Sequence, residues 1–170
     1  MERIKIGVLR EEKSPPDKRV PLTPLICSEL TKKYANVDIV VQPSKIRCYT
    51  DDEYTAFGIP LQEDISDCDI LMGVKEVPVE KLIPHKKYFF FSHTIKKQAH
   101  NQKLMKCLIE KKIQMIDYET LTDKQHNRII GFGRYAGIVG AYNGILGYGL
   151  KYDLFRIKPA NQCRDKAEME

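Results

Sequence analysis

Five short runs of apolar and β-prone residues, separated by polar segments, set the pattern of the chain. The runs occupy residues 3–9, 37–41, 70–74, 88–92 and 113–117. Short apolar runs that stop abruptly on polar residues are typical of strands buried on both faces of a sheet. The pattern therefore predicts five strands.

Helix-forming segments lie between these runs. Thr23 and Pro24 supply an N-cap and a first-turn proline for a helix over residues 24–34. Acidic residues open a short helix at position 51 that stops at Gly58. A third helix is predicted over residues 98–112, and a helical turn at 80–82. Strands that alternate with helices predict an α/β fold, three-layer, with a mostly parallel sheet and helices on both faces.

Two polar side chains follow two of the predicted strands. The run 70–74 stops at Lys75, and the run 88–92 stops at His93. In an open α/β sheet, ligands bind beyond the carboxyl ends of the strands. If both strands are parallel, the amine and the imidazole reach the same edge, where they could transfer protons. A residue that follows a strand can also be polar merely because it is exposed, and the spacing leaves both readings open.

A glycine-rich segment occupies the last third of the chain, with seven of its ten glycines between Gly131 and Gly149. Gly131, Gly133 and Ala136 match a relaxed dinucleotide fingerprint, which requires a βαβ unit with an acidic residue about 20 residues further on. Asp153 lies near that distance, but the residues before it form a poor strand. We therefore expect no cofactor-binding residues in this chain.

The same glycines favour a packing helix. Gly137, Gly140 and Gly144 recur at spacings of three and four, which places them on one helix face. Glycine costs a helix roughly 1 kcal/mol per position relative to alanine. The expectation is a Gly-rich helix with a smooth face against which another backbone packs.

Bulk composition narrows the classes of function. The 170 residues are 42% hydrophobic and 30% charged, with a formal net charge of +5, which is typical of a soluble globular domain. The lysines are scattered among acidic residues, so we expect no nucleic-acid partner. No apolar run approaches the roughly 20 residues that span a bilayer, so we expect no membrane association.

Cysteine and histidine usage argues against a metal site. The five cysteines form no CxxC pair, and the histidines form no HxxxH or HxH pair, so neither zinc nor a disulfide framework is predicted. Reduced thiols and the absence of a signal-peptide pattern at the N-terminus predict a cytoplasmic location.

Several motifs resemble one superfamily when taken together in order. They are RVPLTP at 19–24, GVKEVP at 73–78, YFFFSHTIKKQ at 88–98, IDYE at 116–119 and FGRYAG at 132–137. This order resembles the superfamily of alanine dehydrogenase, the alpha subunit of nicotinamide nucleotide transhydrogenase and the lysine-forming saccharopine dehydrogenases. The residues of these motifs are most similar to the lysine–ketoglutarate reductase portion of the bifunctional lysine-degrading enzyme.

The resemblance implies a domain organisation. Residues 1–150 would form a flavodoxin-like N-terminal substrate and catalytic domain, and 151–170 a linker or the start of the nucleotide-binding domain. NAD or NADP would be bound mainly by a domain absent from this chain. The chain would then be a piece of a longer enzyme, a split subunit or a degenerate relative, inactive alone.

The resemblance also implies residue roles. Lys75 and His93 match the catalytic lysine and histidine, and Arg19 matches an arginine that grips a substrate carboxylate. Glu76 and Glu119 match acidic residues that line the saccharopine dehydrogenase site.

A further arginine completes the set of matched residues. Arg128 matches one member of an arginine pair, and the neighbouring position is Asn127.

The implied reaction is reductive amination of a 2-oxo acid through an imine, with a small-molecule amino acid as the other partner. The alternative within the superfamily is alanine dehydrogenase. Outside enzymes, the alternative is a stand-alone interaction module that forms a homo-oligomer through its glycine-faced helix.

Overall fold

A five-stranded sheet forms the centre of the computed structural model, which describes residues 2–15 and 17–169. Pro16, part of the proline-rich loop expected after the first strand, lies outside the described residues, as do Met1 and Glu170. The strands are β1 (Ile4–Val8), β2 (Val37–Val41), β3 (Ile70–Lys75), β4 (Lys87–Phe91) and β5 (Gln114–Asp117). Their order is β2-β1-β3-β4-β5 and every neighbouring pair is parallel. The predicted parallel sheet is confirmed.

The described residues form four α-helices. They are α1 (Pro24–Lys33), α2 (Asp51–Ala56), α3 (Gln102–Glu110) and α4 (Gly133–Lys151). The predicted N-cap of α1 is present, since Ile26 N donates to Thr23 Oγ1 at 3.3 Å. Thr50 and Glu53 form a reciprocal capping box at the start of α2, which satisfies backbone donors that the first helical turn leaves unpaired.

Apolar side chains cover both faces of the sheet. One core cluster joins Phe90 and Leu71 of the central strands to Leu104 and Leu108 of α3. The other contains Val8 and Val41 together with residues of α1 and α2. Because successive strand residues point to opposite faces, one sheet supports both clusters, and the predicted three-layer α/β fold is confirmed.

Most predicted boundaries shift by a residue or two, and the shifts in β3 and α3 bear on the sheet edge. Lys75 is the last residue of β3 rather than the residue after it. The helix predicted to begin at 98 begins at Gln102, because Lys97 has a left-handed φ of 52° and Ala99–Asn101 form a 3-10 turn. A left-handed residue interrupts an α-helix, so this segment is a loop beside the end of β4.

The chain divides into two compact units, Met1–Ile129 and Ile130–Glu170. The second unit contains α4 and a 3-10 turn at Ala160–Gln162. The boundary between the two units, after Ile129, lies before residue 150. The assignment of residues 1–150 to one functional domain stays a prediction.

The glycine face of α4 is open among the described residues. A Cβ placed on Gly137, Gly140 or Gly144 would meet nothing within 4 Å, whereas one on Gly149 would lie 2.6 Å from the backbone oxygen of Phe155. Among the described residues, the close approach predicted at Gly137, Gly140 and Gly144 is therefore absent, and of the α4 glycines another backbone comes close only at Gly149, outside the predicted face. In the described ranges, no helix is long and apolar enough to cross a bilayer.

Two adjacent residues of α3 test the core assignment. Leu108 is 4% exposed and Ile109 is 69% exposed. Leu108→Ala should lower the free energy of unfolding by about 2–5 kcal/mol, because it leaves a cavity beneath the sheet. Ile109→Ala should change it by about 0.5 kcal/mol or less. Urea denaturation followed by circular dichroism measures both, and equal effects would contradict the packing described.

Candidate active site

The ends of β3 and β4 bring two predicted acid–base residues to the same edge of the sheet. Lys75 closes β3 and pairs in register with Phe91, the last residue of β4. His93 follows Phe91 by two positions. Within the described residues, no hydrogen bond or ion pair joins Lys75 directly to His93. The two residues share an edge, and the groups around them define how that edge is arranged.

A buried carboxylate joins the loops that follow β4 and β5. Asp117 is 4% exposed and accepts the backbone N–H of Glu119 at 2.9 Å. It also accepts the backbone N–H of Ser92 at 3.4 Å and the hydroxyl of Ser92. These bonds satisfy buried donors where the sheet ends, and they hold Ser92, which precedes His93, and the backbone of Glu119.

Glu119 and His93 form a close pair above this carboxylate. His93 Nδ1 lies 3.0 Å from Glu119 Oε2, and the Glu119 side chain is only 4% exposed. Lys96 Nζ lies 3.2 Å from His93 Nδ1 and 3.5 Å from Glu119 Oε1. Arg128 Nη1 lies 3.7 Å from the same oxygen. One buried carboxylate therefore faces three basic side chains.

This arrangement sets the charge of Glu119. Burial raises the pKa of its carboxyl, but the hydrogen bond to His93 and the charges of His93 and Lys96 lower it, and the net shift is downward. The ionised Glu119 carboxylate accepts a hydrogen bond from the Nδ1–H group of His93. The Nε2 atom of the ring is then the nitrogen available to a substrate.

The backbone of His93 is held in an uncommon conformation. Its φ is 56°, in the left-handed region, which is sparsely used by non-glycine residues and often marks functional sites. Asn101, itself buried, donates from Nδ2 to the His93 carbonyl at 3.0 Å. The ring and the backbone of His93 are thus both fixed by neighbours.

Glu76 connects the end of β3 to the histidine. Its carboxylate pairs with Lys13. Burial raises the pKa of Glu76, but the Lys13 hydrogen bond and the charges of Lys13 and His93 produce a net downward shift. The second oxygen, Oε2, is buried and has no hydrogen-bond partner among the described residues. Glu76 therefore lies within electrostatic reach of His93 and has unused acceptor capacity.

Arg19 is oriented by a neighbouring acid. Its Nε and Nη2 atoms donate to the two carboxylate oxygens of Asp17, at 2.9 Å and 2.5 Å. The hydrogen bond from Arg19 lowers the pKa of Asp17, and the charge of Lys75 lowers it further. Arg19 therefore contacts Asp17 directly, and Lys75 lies within electrostatic reach of the same carboxylate.

A cavity of about 170 Å³ opens beside Lys75 and Glu76. Glu11 lies in its wall, and it accepts the backbone N–H groups of Val74 at 2.6 Å and Lys75 at 2.9 Å. The contacts at this edge link His93 and Arg128 through Glu119, and Arg19 and Lys75 through the charge of Asp17.

Sequence reasoning missed several residues that organise this edge. Asp117 ends β5, so the rule that singled out Lys75 and His93 could have found it. Glu11 and Asp17 lie in a charged loop without periodicity, and their partners are distant or depend on the turn. Asn101 was assigned to a helix that begins one residue later.

The structure gives no support for a metal or dinucleotide site in the described part of the chain. No group of three His, Cys, Asp or Glu side chains there could hold a metal ion. Gly131 and Gly133 precede and open α4 without a strand before them, and the residues after α4 form a 3-10 turn rather than a strand. These residues do not form the βαβ cradle that a dinucleotide requires.

The parallel sheet with ionisable groups at its carboxyl edge places the chain among the open α/β domains, a class in which the carboxyl edge is the usual position of ligand sites. A family model described as Alanine dehydrogenase/PNT, N-terminal domain matches residues 7–139. The chain belongs to this family.

Curated relatives and solved structures agree with this assignment. The mitochondrial alpha-aminoadipic semialdehyde synthase of Bos taurus is 40% identical over 146 residues, 86% of this chain and 16% of that protein. The saccharopine dehydrogenase [NAD(+), L-lysine-forming] of Emericella nidulans is 32% identical over 139 residues, 78% of this chain and 36% of that protein. An L-alanine dehydrogenase structure superposes with a TM-score of 0.70 at 19% identity, over 89% of this chain and 42% of that one. The chain therefore spans less than half of the length of each.

The Glu119 pair predicts a pH dependence of stability. Because the folded pKa of Glu119 lies below its ordinary value of 4.5, its stabilisation is fully present above about pH 4.5 and is lost as pH falls through the folded pKa. Glu119→Gln should lower the free energy of unfolding by about 1–3 kcal/mol at pH 7, and the difference from the wild type should shrink below pH 4.5.

Urea denaturation from pH 3 to pH 7 measures this difference. Glu110→Gln, at an exposed position of α3, is the matched control and should change stability by about 0.5 kcal/mol or less. A gap between wild type and Glu119→Gln that stays constant across this range would contradict the ion-pair assignment.

Proposed function

We propose that this chain is the substrate-binding and acid–base domain of an NAD(P)-dependent amino-acid oxidoreductase that carries out reductive amination of a 2-oxo acid. The observation that supports this most is the buried Glu119–His93 pair at the sheet edge where β3 delivers Lys75. The likeness to dehydrogenases of lysine metabolism agrees with it.

The chemistry requires several proton transfers. An amine adds to the carbonyl of the 2-oxo acid, water leaves to form an imine, and the imine accepts a hydride, which a bound nicotinamide cofactor supplies. His93 exchanges protons through Nε2, while Glu119 holds its Nδ1 and stabilises the protonated ring. Lys75 serves as the second acid–base group at the carbonyl oxygen and amine.

The charged residues around this pair bind and orient the substrates. Arg19, turned by Asp17, and Arg128, beside Glu119, bind substrate carboxylates, because a guanidinium presents paired donors to two oxygens. Glu76 accepts from the substrate amine through its unpartnered Oε2 atom. The single Arg128, with Asn127 beside it, replaces the arginine pair of some saccharopine enzymes.

The cofactor is bound by residues outside this chain. NAD or NADP would lie on a nucleotide-binding domain that follows the linker at residues 151–170, and residues 1–150 would face it. The chain covers only 16% of the bovine relative and 36% of the fungal relative. We therefore expect the isolated chain to be inactive.

Lysine and 2-oxoglutarate are the favoured substrates. The 40% identity to an alpha-aminoadipic semialdehyde synthase and the L-lysine-forming fungal relative support them. The alanine dehydrogenase structure, at 19% identity, supports the shared fold alone. The cytoplasmic location stays a prediction, and the bovine relative is named as mitochondrial.

The competing function is an interaction module without catalysis. Its support is α4, whose glycine face is open among the described residues and whose large side chains Tyr135, Ile145 and Tyr148 are exposed. A homo-oligomer that forms through α4 without NAD(P)H oxidation by either substrate pair would favour this alternative.

Activity of the protein expressed from its complete coding sequence tests the proposal. NAD(P)H oxidation should be faster with lysine and 2-oxoglutarate than with ammonia and pyruvate. Lys75→Ala and His93→Ala should each lower kcat by about 100-fold or more, because each removes a group that moves a proton in the reaction. Absorbance at 340 nm measures the rate.

Two exposed residues of the same chemical types supply controls. Lys87→Ala, at the start of β4, and His100→Ala, before α3, should keep wild-type rates. Unchanged turnover in Lys75→Ala or His93→Ala would remove that residue from the mechanism. A preference for ammonia and pyruvate would instead support the alanine dehydrogenase alternative.

A further inference from the structure

The carboxyl end of β3 departs from regular strand pairing. Met72 pairs with Phe89 and Lys75 with Phe91, so three steps along β3 match two along β4. We call this register shift the bulge of β3; an extra residue of this kind redirects the side chains that follow it. Lys75 is the first residue beyond the bulge that pairs again.

Strand β1, the other neighbour of β3, stops pairing with β3 at the same point. The β1–β3 pairing ends at Val8 and Met72, and Leu9 N donates to Met72 O at 2.8 Å. Beyond Met72, the backbone of β1 supplies no further partner. The N–H groups of Val74 and Lys75 would be left without acceptors on that side.

The carboxylate of Glu11 takes the place of the missing strand. One oxygen accepts Val74 N–H at 2.6 Å and the other accepts Lys75 N–H at 2.9 Å. Glu11 is 8% exposed. A Cβ on Gly73 would lie 3.3 Å from Glu11 Oε1, so glycine at this position leaves the carboxylate the room it occupies.

The surroundings of Glu11 make its burial costly. Burial raises the pKa of its carboxyl, and the two backbone N–H groups lower it; Asp17 raises it and Arg19 lowers it, and the net shift is upward. Burial raises the pKa of the Tyr118 hydroxyl, and the charge of Glu11 raises it further. Burial disfavours the charged form of this carboxyl, and a carboxyl that is buried all the same is consistent with a specific positioning role.

We propose that Glu11 is a positioning residue. Its two hydrogen bonds to the backbone of Val74 and Lys75 set the position of the Lys75 amine at the sheet edge. This inference rests on the proposed role of Lys75. A displacement of about 1 Å in a reacting group can lower a rate about 100-fold. In this proposal Glu11 acts on the reaction through the backbone of Lys75.

Glu11→Gln is the variant that tests these two hydrogen bonds. The carboxamide has nearly the same shape but only one acceptor oxygen, so one of the two N–H bonds is lost. In this chain, amide hydrogen exchange at Val74 or Lys75 should become at least about tenfold faster, equivalent to about 1.4 kcal/mol. Acylation of the half-buried Lys75 by acetic anhydride, followed by peptide mass spectrometry, should become faster relative to that of Lys87.

Glu12→Gln is the matched control. Glu12 adjoins Glu11 in sequence and carries the same charge, but it pairs with Arg10 and Lys81 instead of the β3 backbone. Exchange at Val74 and Lys75 and acylation of Lys75 should stay at wild-type values in this variant. If Glu11→Gln does not fold, Gly73→Ala presses a methyl group against the carboxylate and should produce the same two changes.

The protein expressed from its complete coding sequence supplies the functional readout. Glu11→Gln should lower kcat about tenfold or more, with KM changed about threefold or less. Unchanged exchange, or faster exchange with wild-type Lys75 acylation and kcat, would overturn the positioning role. If Lys75→Ala is fully active, the proposed function fails, while exchange and acylation still decide whether Glu11 places Lys75.

Discussion

Backbone N–H groups at the ends of parallel strands need acceptors once the neighbouring strand has turned away, and buried carboxylates supply them here. Glu11 accepts two such groups at the end of β3. Asp117 accepts those of Ser92 and Glu119 beyond β4 and β5. A buried polar group without a partner destabilises a fold. The same bonds that satisfy the sheet edge therefore determine where Lys75, His93 and Glu119 lie.

The pKa values of Glu119 and Glu11, two carboxyl groups at this edge, are shifted in opposite directions. Glu119 has a lowered pKa because His93 and Lys96 outweigh its burial, so its ionised form stabilises the folded chain above pH 4.5. Glu11 has a raised pKa because burial outweighs its two N–H bonds. The contribution of Glu11 to the free energy of unfolding is most favourable below the pKa of this group in the unfolded chain. This contribution is lost as pH rises through the pKa of the folded chain. The edge thus combines the charge of Glu119, which stabilises the folded chain, with the charge of Glu11, which burial disfavours. Such a combination is expected of a functional site.

Local patterns in the sequence predict most of the fold. Each of the five strands is a short apolar run, and Thr23 and Pro24 identify the start of α1, so propensity and tertiary structure agree in those segments. The start of α3 was misplaced because helix propensity over 98–101 is overridden by the left-handed Lys97 and by the bond from Asn101 to His93. Such a bond forms only in the folded chain.

The candidate site was predictable to the extent that it follows strand ends. Lys75 and His93 were found because parallel topology brings such residues to one edge. Glu11 was not, because it contacts residues 63 and 64 positions away and nothing in its charged loop identifies the partner. The motif resemblance identified Glu119 and Arg128 but not the arrangement around Glu119, in which His93, Lys96 and Arg128 share one buried carboxylate.

The location of the substrate relative to the sheet is the central claim, and an NMR titration of this chain measures it most directly. Millimolar saccharopine, which joins the carbon frameworks of lysine and 2-oxoglutarate, should shift backbone and side-chain signals of Lys75, His93 and Glu119. Signals of Lys87 and Gln114, the first residues of β4 and β5, should stay unchanged. Shifts concentrated at that opposite edge, with none at Lys75 and His93, would contradict the account.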